Sequence, residues 1–241
     1  MSVAALRFEG VCKCYAGAGA LSGFTLTVNA GECCGLVGAN GAGKTTLIKC
    51  MLDFCEADAG AIEIFGMPHH QVQSRARLAY LPESFNPPYY LTGGDFLQYM
   101  AQMHRVAYEA SVAEALLNEL ELDPAALAKP VRAYSKGMSQ KLGLAACVLS
   151  RRDLYVLDEP TSGLDPRARI LLKRKLTALR DDGKTIFFTS HTLADVEEMC
   201  ERVAVIDSGR LLFAGTPAEL IRSHNADTME QAFMALVAQE A

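Results

Sequence analysis

The chain has 241 residues, half of them hydrophobic, enough to bury a sizeable core in one large domain or in a core with a smaller lobe. A net charge of -5 and a pI near 5.6 argue against a protein that lives on nucleic acid, whose usual footprint is a basic face. No run approaches the ~18 apolar residues of a membrane span, and the opening "MSVAALRFEG" lacks a charged segment followed by a long apolar stretch. The expected location is therefore the cytosol, or a membrane surface reached only through a partner.

In chain order, the first 30 residues and "GAIEIFG" (60–66) read as short strands of a small antiparallel sheet. Eight cysteines, Cys12, Cys14, Cys33, Cys34, Cys50, Cys55, Cys147 and Cys200, have spacings that fit neither a disulfide scaffold nor paired C-x-x-C zinc ligands. They are expected to be reduced packing residues, with a metal or redox role gathering the first four as the alternative. The apolar strand "CCGLVG" (33–38) leads directly into "ANGAGKTTL". There Gly38, Gly43, Lys44 and Thr45 satisfy G-x-x-x-x-G-K-[ST] between a strand and a helical pattern, the context a phosphate-binding loop requires. Its glycines let the backbone of Gly38, Ala39, Asn40, Gly41, Ala42 and Gly43 turn N–H groups inward as an anion nest. Lys44 would reach the β- and γ-phosphates of a nucleotide and the Thr45 hydroxyl would bind Mg²⁺, while Thr46 starts the helix on the α-phosphate side.

After the strand "LAYLP" (78–82), the segment from about 84 to 150 gives only helical patterns, among them a stripe of Val112, Leu116, Leu117 and Leu120, and reads as an inserted helical lobe. Near its end, in "AYSKGMSQKL" (133–142), Ser135 is placed to cap a helix whose free N–H groups can also hold an anion. The next strand, "LYVLDEP" (154–160), delivers Asp158 to the edge of the sheet, where it can hold Mg²⁺. Glu159, one residue on, can accept a proton from water attacking a γ-phosphate, which favours hydrolysis over transfer to a second substrate. In "RARILLKRKLTALR" (167–180), six cations flank a stripe of Leu172, Leu176 and Leu179. That run reads as a solvated face, the alternative being contact with anionic lipid. "TIFFTS" (185–190) and "VAVIDSG" (203–209) complete the strands, and the alternation of strand and helix predicts an α/β fold with a mainly parallel sheet covered on both faces. The tail "TMEQAFMALV" (228–237) carries a Thr-x-x-Gln capping box and a stripe of Met229, Phe233 and Leu236.

Taken in order, these motifs resemble the ATP-binding subunit of ABC transporters over nearly the whole chain. "GANGAGKTT" is similar to its Walker A motif, "YSKGM" to its signature, "LYVLDEP" to Walker B, "SGLD" (162–165) to the D-loop, and "TSHT" to the segment with the switch histidine, here His191. Tyr15 in "CKCY" matches the aromatic residue that stacks on adenine. The resemblance implies one ABC ATPase domain over residues 1–241, a P-loop NTPase with a RecA-like core. Residues about 1–83 and 151–215 would form that core with a small antiparallel β subdomain, 84–150 an inserted helical subdomain, and 216–241 a helical tail. It also implies ATP and Mg²⁺, a head-to-tail homodimer in which Ser135, Lys136 and Gly137 meet the ATP held by the other copy's Lys44, and a separate transmembrane permease. The subunit would sit on the cytoplasmic face of the membrane, with no nucleic acid partner.

Two positions depart from the family pattern. Glu83 stands where a glutamine senses Mg²⁺ and the membrane partner, and a carboxylate can bind Mg²⁺ at least as well as an amide. Lys136 replaces the first glycine of the signature, so its side chain must point away from the phosphate or add to its clamp. "YSKGM", "YLPE" and the tail resemble the ABC-2-type exporter branch. Two other classes stand against this reading. A soluble ABC-type ATPase acting on DNA or the ribosome would carry long coiled coils or tandem cassettes, and a regulatory module without turnover would lack Glu159.

Overall fold

The structure, a computed structural model, describes residues 3–240. Strands β1 (Ala4–Tyr15) and β2 (Ala18–Asn29) form a long antiparallel hairpin. It turns at Ala16 and Gly17, both at positive φ (47° and 85°), as a two-residue turn that matches strand twist requires. These strands are twelve residues each, longer than the short strands expected from sequence. After β3 (Cys33–Val37) and α1 (Lys44–Met51), β4 (Ala59–Ile64) and β5 (Met67–Pro68) complete a four-stranded sheet of order β2-β1-β4-β5. Leu6, Phe8, Phe24 and Val28 of its apolar face share one core with Leu47, Ile48 and Met51 of α1.

The chain continues through α2 (Val72–Arg75) and β6 (Leu78–Leu81), then forms only helical elements up to β7. These are α3 (Gly93–Met103), α4 (Ala110–Glu119), 3₁₀ turns at Pro124–Ala128 and Val131–Ala133, and α5 (Lys136–Leu149). β7 (Leu154–Leu157), α6 (Pro166–Asp181), β8 (Thr185–Ser190), α7 (Leu193–Met199), β9 (Arg202–Asp207), β10 (Arg210–Gly215), α8 (Pro217–Ser223) and α9 (Met229–Glu240) follow. The second sheet has the order β10-β9-β3-β8-β7-β6, parallel throughout except for β10 at its edge. Every residue of β3, β7 and β8 is buried, the two-sided covering that continuously apolar strands demand. Because β3 sits between β8 and β9, the loop leaving it emerges mid-sheet among the carboxyl ends of parallel strands, where ligands of such sheets bind.

Several local expectations are revised. The buried stripe of α4 is Ala113, Leu116 and Leu117, with Leu120 beyond its end, and Val112 is only partly buried. In α9 the fully buried positions are Met229, Ala232 and Leu236, while Phe233 packs at the margin. The capping box there is half formed. Gln231 N–H donates to Thr228 Oγ1 at 3.3 Å, but the Gln231 carboxamide oxygen accepts from Asp227 N at 3.0 Å instead of from the cap residue itself. All eight cysteines are free thiols. Cys33 and Cys34 are consecutive on β3 and enter different cores on opposite faces of the sheet, so the first four cysteines do not converge.

Candidate functional site

The loop from Gly38 to Gly43 depends on glycine at two points of close approach. A Cβ on Gly38 would lie 2.3 Å from the carbonyl oxygen of Ile206, and one on Gly43, at φ 111°, would lie 2.5 Å from that of Ala20. The loop is thereby held against β9 and β2 while it feeds the first turn of α1. Lys44, not Thr46 as expected from sequence, opens that helix, with its side chain buried, its ammonium donating to the carbonyls of Gly38 (2.7 Å) and Ala39 (3.2 Å) and lying 3.4 Å from Glu159 Oε1.

Opposite the loop, β7 ends at Leu157 and presents Asp158, whose N–H is tied to Leu81 O at 2.8 Å. Asp158 Oδ1 accepts from the hydroxyls of Thr189 (2.6 Å) and Thr45 (3.5 Å). Burial pushes its carboxyl above the usual range, and these two hydroxyls pull in the opposite direction. Glu159 adopts φ 48°, a left-handed backbone that L side chains avoid and that proteins retain mostly at functional sites. Its N–H donates to Thr189 Oγ1 at 2.9 Å, and its Oε2 lies 2.7 Å from His191 Nδ1 and 3.3 Å from His191 N. One carboxylate thus stands between an ammonium and an imidazole.

Lys44, Thr45, Glu159 and His191 share a cleft of about 520 Å³ with Ala20, Asn40, Gly41, Gly43, Thr46, Glu83 and Ser162. That volume is typical of small-molecule sites. Glu83, two residues beyond β6, reaches the cleft. Thr189, which braces both carboxylate positions, is absent from the sequence-based candidates. The available signal was a hydroxyl one residue before the end of "TIFFTS", on the strand next to β7.

Other candidates lie apart from the cleft lining. Tyr15 ends β1 at 45% exposure, its hydroxyl 3.3 Å from Cys55 Sγ. Ser135 accepts from Met138 N at 3.2 Å, the cap geometry, and neither it nor Lys136 nor Gly137 lines the cleft. Lys136 lays its methylenes over Gly163, where a Cβ would be 2.9 Å from Cε, and Gly137 has only Leu164 near it, at 4.0 Å. On α6, Arg167, Lys173, Lys175 and Arg180 are paired with Glu121, Asp195 and Glu198, Glu119, and Asp181 and Glu201. Such pairing supports a solvated face and leaves little cationic excess for anionic lipid.

A family model described as ABC transporter matches residues 21–162. An uncharacterized ABC transporter ATP-binding protein of Synechocystis sp. is 38% identical over 204 residues, which are 83% of this chain and 58% of that protein. Nod factor export ATP-binding protein I of Burkholderia thailandensis is 38% identical over 227 residues, 92% of this chain and 74% of that one. The chain thus spans less than two thirds of the Synechocystis relative. A solved ATP-binding subunit of an ABC transporter superposes with a TM-score of 0.87 at 29% identity, covering 96% of this chain and 99% of that one.

Proposed function

The chain belongs to the ABC transporter family, and we propose on that footing that it is the subunit that binds and hydrolyses ATP to drive export of a substrate through a separate transmembrane subunit. The observation that carries this reading is Glu159, held between Lys44 and His191 on the same cleft as Thr45.

The backbone of residues 38–43 cradles the phosphates, with Lys44 on the β- and γ-phosphates and Thr46 on the α-phosphate side. Thr45 Oγ1 and Asp158 Oδ1, 3.5 Å apart, are hard oxygen donors of the kind Mg²⁺ takes, and Glu83 adds a third on the cleft wall. Mg²⁺ bound there would neutralise charge on the β- and γ-phosphate oxygens. Glu159 takes a proton from the attacking water onto its carboxylate, and His191, bonded to Oε2, fixes which way that carboxylate faces. Tyr15 supplies a flat face for adenine. Ser135, Lys136 and Gly137 close the site of a second copy, with the helix N-terminus toward the γ-phosphate. Their absence from the lining of this chain's own cleft supports that trans arrangement.

Export in particular is supported by the name of the Burkholderia relative. Among the described residues no helix is long and apolar enough to cross a membrane, so in this reading the permease holds the subunit at the cytoplasmic face. The exposed Val72 and Met103, set among Arg75, Arg105 and Arg152, offer an apolar and cationic groove beside α3 for such contact. Net charge -5 argues against nucleic acid as the partner.

Glu159→Gln is the decisive variant. Turnover should fall about 10²- to 10⁴-fold while ATP-bound dimers accumulate in size-exclusion runs. Parent-like turnover would remove Glu159 from its position as base. A multi-span protein co-purifying from detergent-solubilised membranes would support the transporter, and ribosomes or DNA in its place would overturn it.

A further inference from the structure

Cys50, in the last turn of α1, and Cys55, just beyond it, bring their Sγ atoms to 3.6 Å. The chain between them folds back on the helix end: Asp53 takes φ 63°, and the N–H groups of Phe54 and Cys55 both donate to Lys49 O, at 2.9 and 3.4 Å. A disulfide needs its sulfurs about 2.05 Å apart, so the pair must close by roughly 1.5 Å. Cys55 is partly exposed, whereas Cys50 is fully buried. A second close pair, Cys33 and Cys200 at 3.8 Å, has both thiols buried and offers a water-borne oxidant no comparable entry.

The Cys50–Cys55 pair adjoins Tyr15, whose hydroxyl lies 3.3 Å from Cys55 Sγ. The end of β1 is tied to the same segment. Asp58 accepts from Lys13 Nζ at 2.8 Å and from Cys14 N at 2.6 Å, and Lys13 Nζ stands 5.5 Å from the Tyr15 ring centroid. Movement of Cys55 is therefore felt at Tyr15.

We propose that Cys50 and Cys55 are a reversible oxidation site for hydroperoxides, and that closing their disulfide loosens Tyr15 and weakens nucleotide binding. The second half rests on Tyr15 acting as the adenine platform. Cys55 sulfur attacks a peroxide oxygen and the O–O bond breaks, giving a sulfenic acid and, from hydrogen peroxide, water. Cys50 sulfur then displaces that hydroxyl, which leaves as a second water carrying the Cys50 proton. Two thiols lose two electrons and one peroxide gains them. A dithiol reductant reverses the bond by exchange. Burial pushes the Cys50 thiol up to about 12, which keeps it protonated and leaves the more exposed Cys55 as the first to meet peroxide. Once Cys55 Sγ swings toward Cys50, the Tyr15 hydroxyl loses its partner and the half-exposed ring loses its anchor.

Hydrogen peroxide on the purified full chain tests this directly. The tryptic peptide 50–75 contains both thiols and should become lighter by two hydrogens. Titration with a fluorescent ATP analogue should show binding weakened about three- to tenfold, restored by dithiothreitol. Cys55→Ser and Cys50→Ala should each abolish the response to peroxide, and reduced Tyr15→Ala should show a loss of similar size to which oxidation adds nothing. A peptide that keeps both thiols overturns the proposal. A disulfide that forms without changing affinity, while Tyr15→Ala weakens binding, overturns the switch and leaves the platform standing. Parent-like affinity in Tyr15→Ala removes the platform, and the switch with it.

Discussion

The cleft edge of the molecule and the start of α5 carry motifs of similar length, yet they are built in opposite ways. At the cleft, Lys44, Asp158 and Glu159 are 6%, 1% and 5% exposed, and each is tied to other elements of its own chain. At the start of α5, Ser135 and Lys136 are exposed, Gly137 is half-buried, and the Ser135 hydroxyl caps its own helix. A buried polar group must find its partners inside the fold, whereas a helix start can leave its orphan N–H groups for a ligand. The first edge finds its polar partners within the chain, and the second presents its polar groups to solvent.

Glycine substitutions should separate the two edges most sharply. Gly38→Ala sets a Cβ against the backbone oxygen of Ile206 and should destabilise the fold by about 3 kcal/mol in urea unfolding, taking nucleotide binding with it. Gly137→Phe has open space on its own chain, so it should keep the parent melting temperature and monomer ATP affinity while hydrolysis falls about a hundredfold. Equal losses of binding and hydrolysis would reduce the α5 start to a helix cap.

A smaller effect probes the bracing of the cleft. Thr189→Val removes the hydroxyl that bonds Asp158 and the Glu159 N–H, and turnover should drop about tenfold with little change in the folded fraction. Smallest in energy, and opposite in sign, is Asp158→Asn. Burial raises this carboxyl's folded pKa, so its ionised form costs stability as pH rises through that value, and the amide removes the cost while its oxygen still accepts from Thr189. At pH 7 the variant should be more stable than the parent, read as a raised melting temperature, while Mg²⁺-dependent hydrolysis is lost. An unchanged or lower melting temperature would show that the site is not held at a cost to the fold.

Much of this was legible where neighbours in sequence are neighbours in space. The strand at Cys33–Val37, the glycine loop and the helix from Lys44 follow from a contiguous apolar run and successive N–H groups. The Ser135 cap is equally local. Legibility failed where a partner comes from elsewhere. Ala113 and Ala232 take core positions that larger residues nearby seemed better suited to fill, because the space left by facing helices decides which side chain enters it. Thr189 carries no local mark, since its importance comes from standing across from β7.

By itself, then, the sequence determined the buried parallel strands, the Ser135 cap, the glycine loop and the identity of the acidic pair, each the product of short-range sterics and hydrogen bonding. Tertiary structure alone decided that Lys44, Glu159 and His191 meet on one cleft, that Glu159 sits at positive φ, that Tyr15 rests on Cys55, and that the α5 start does not line that cleft. Those facts depend on the order of parallel strands joined by long crossovers, and no short stretch of chain encodes which strand its neighbour will be.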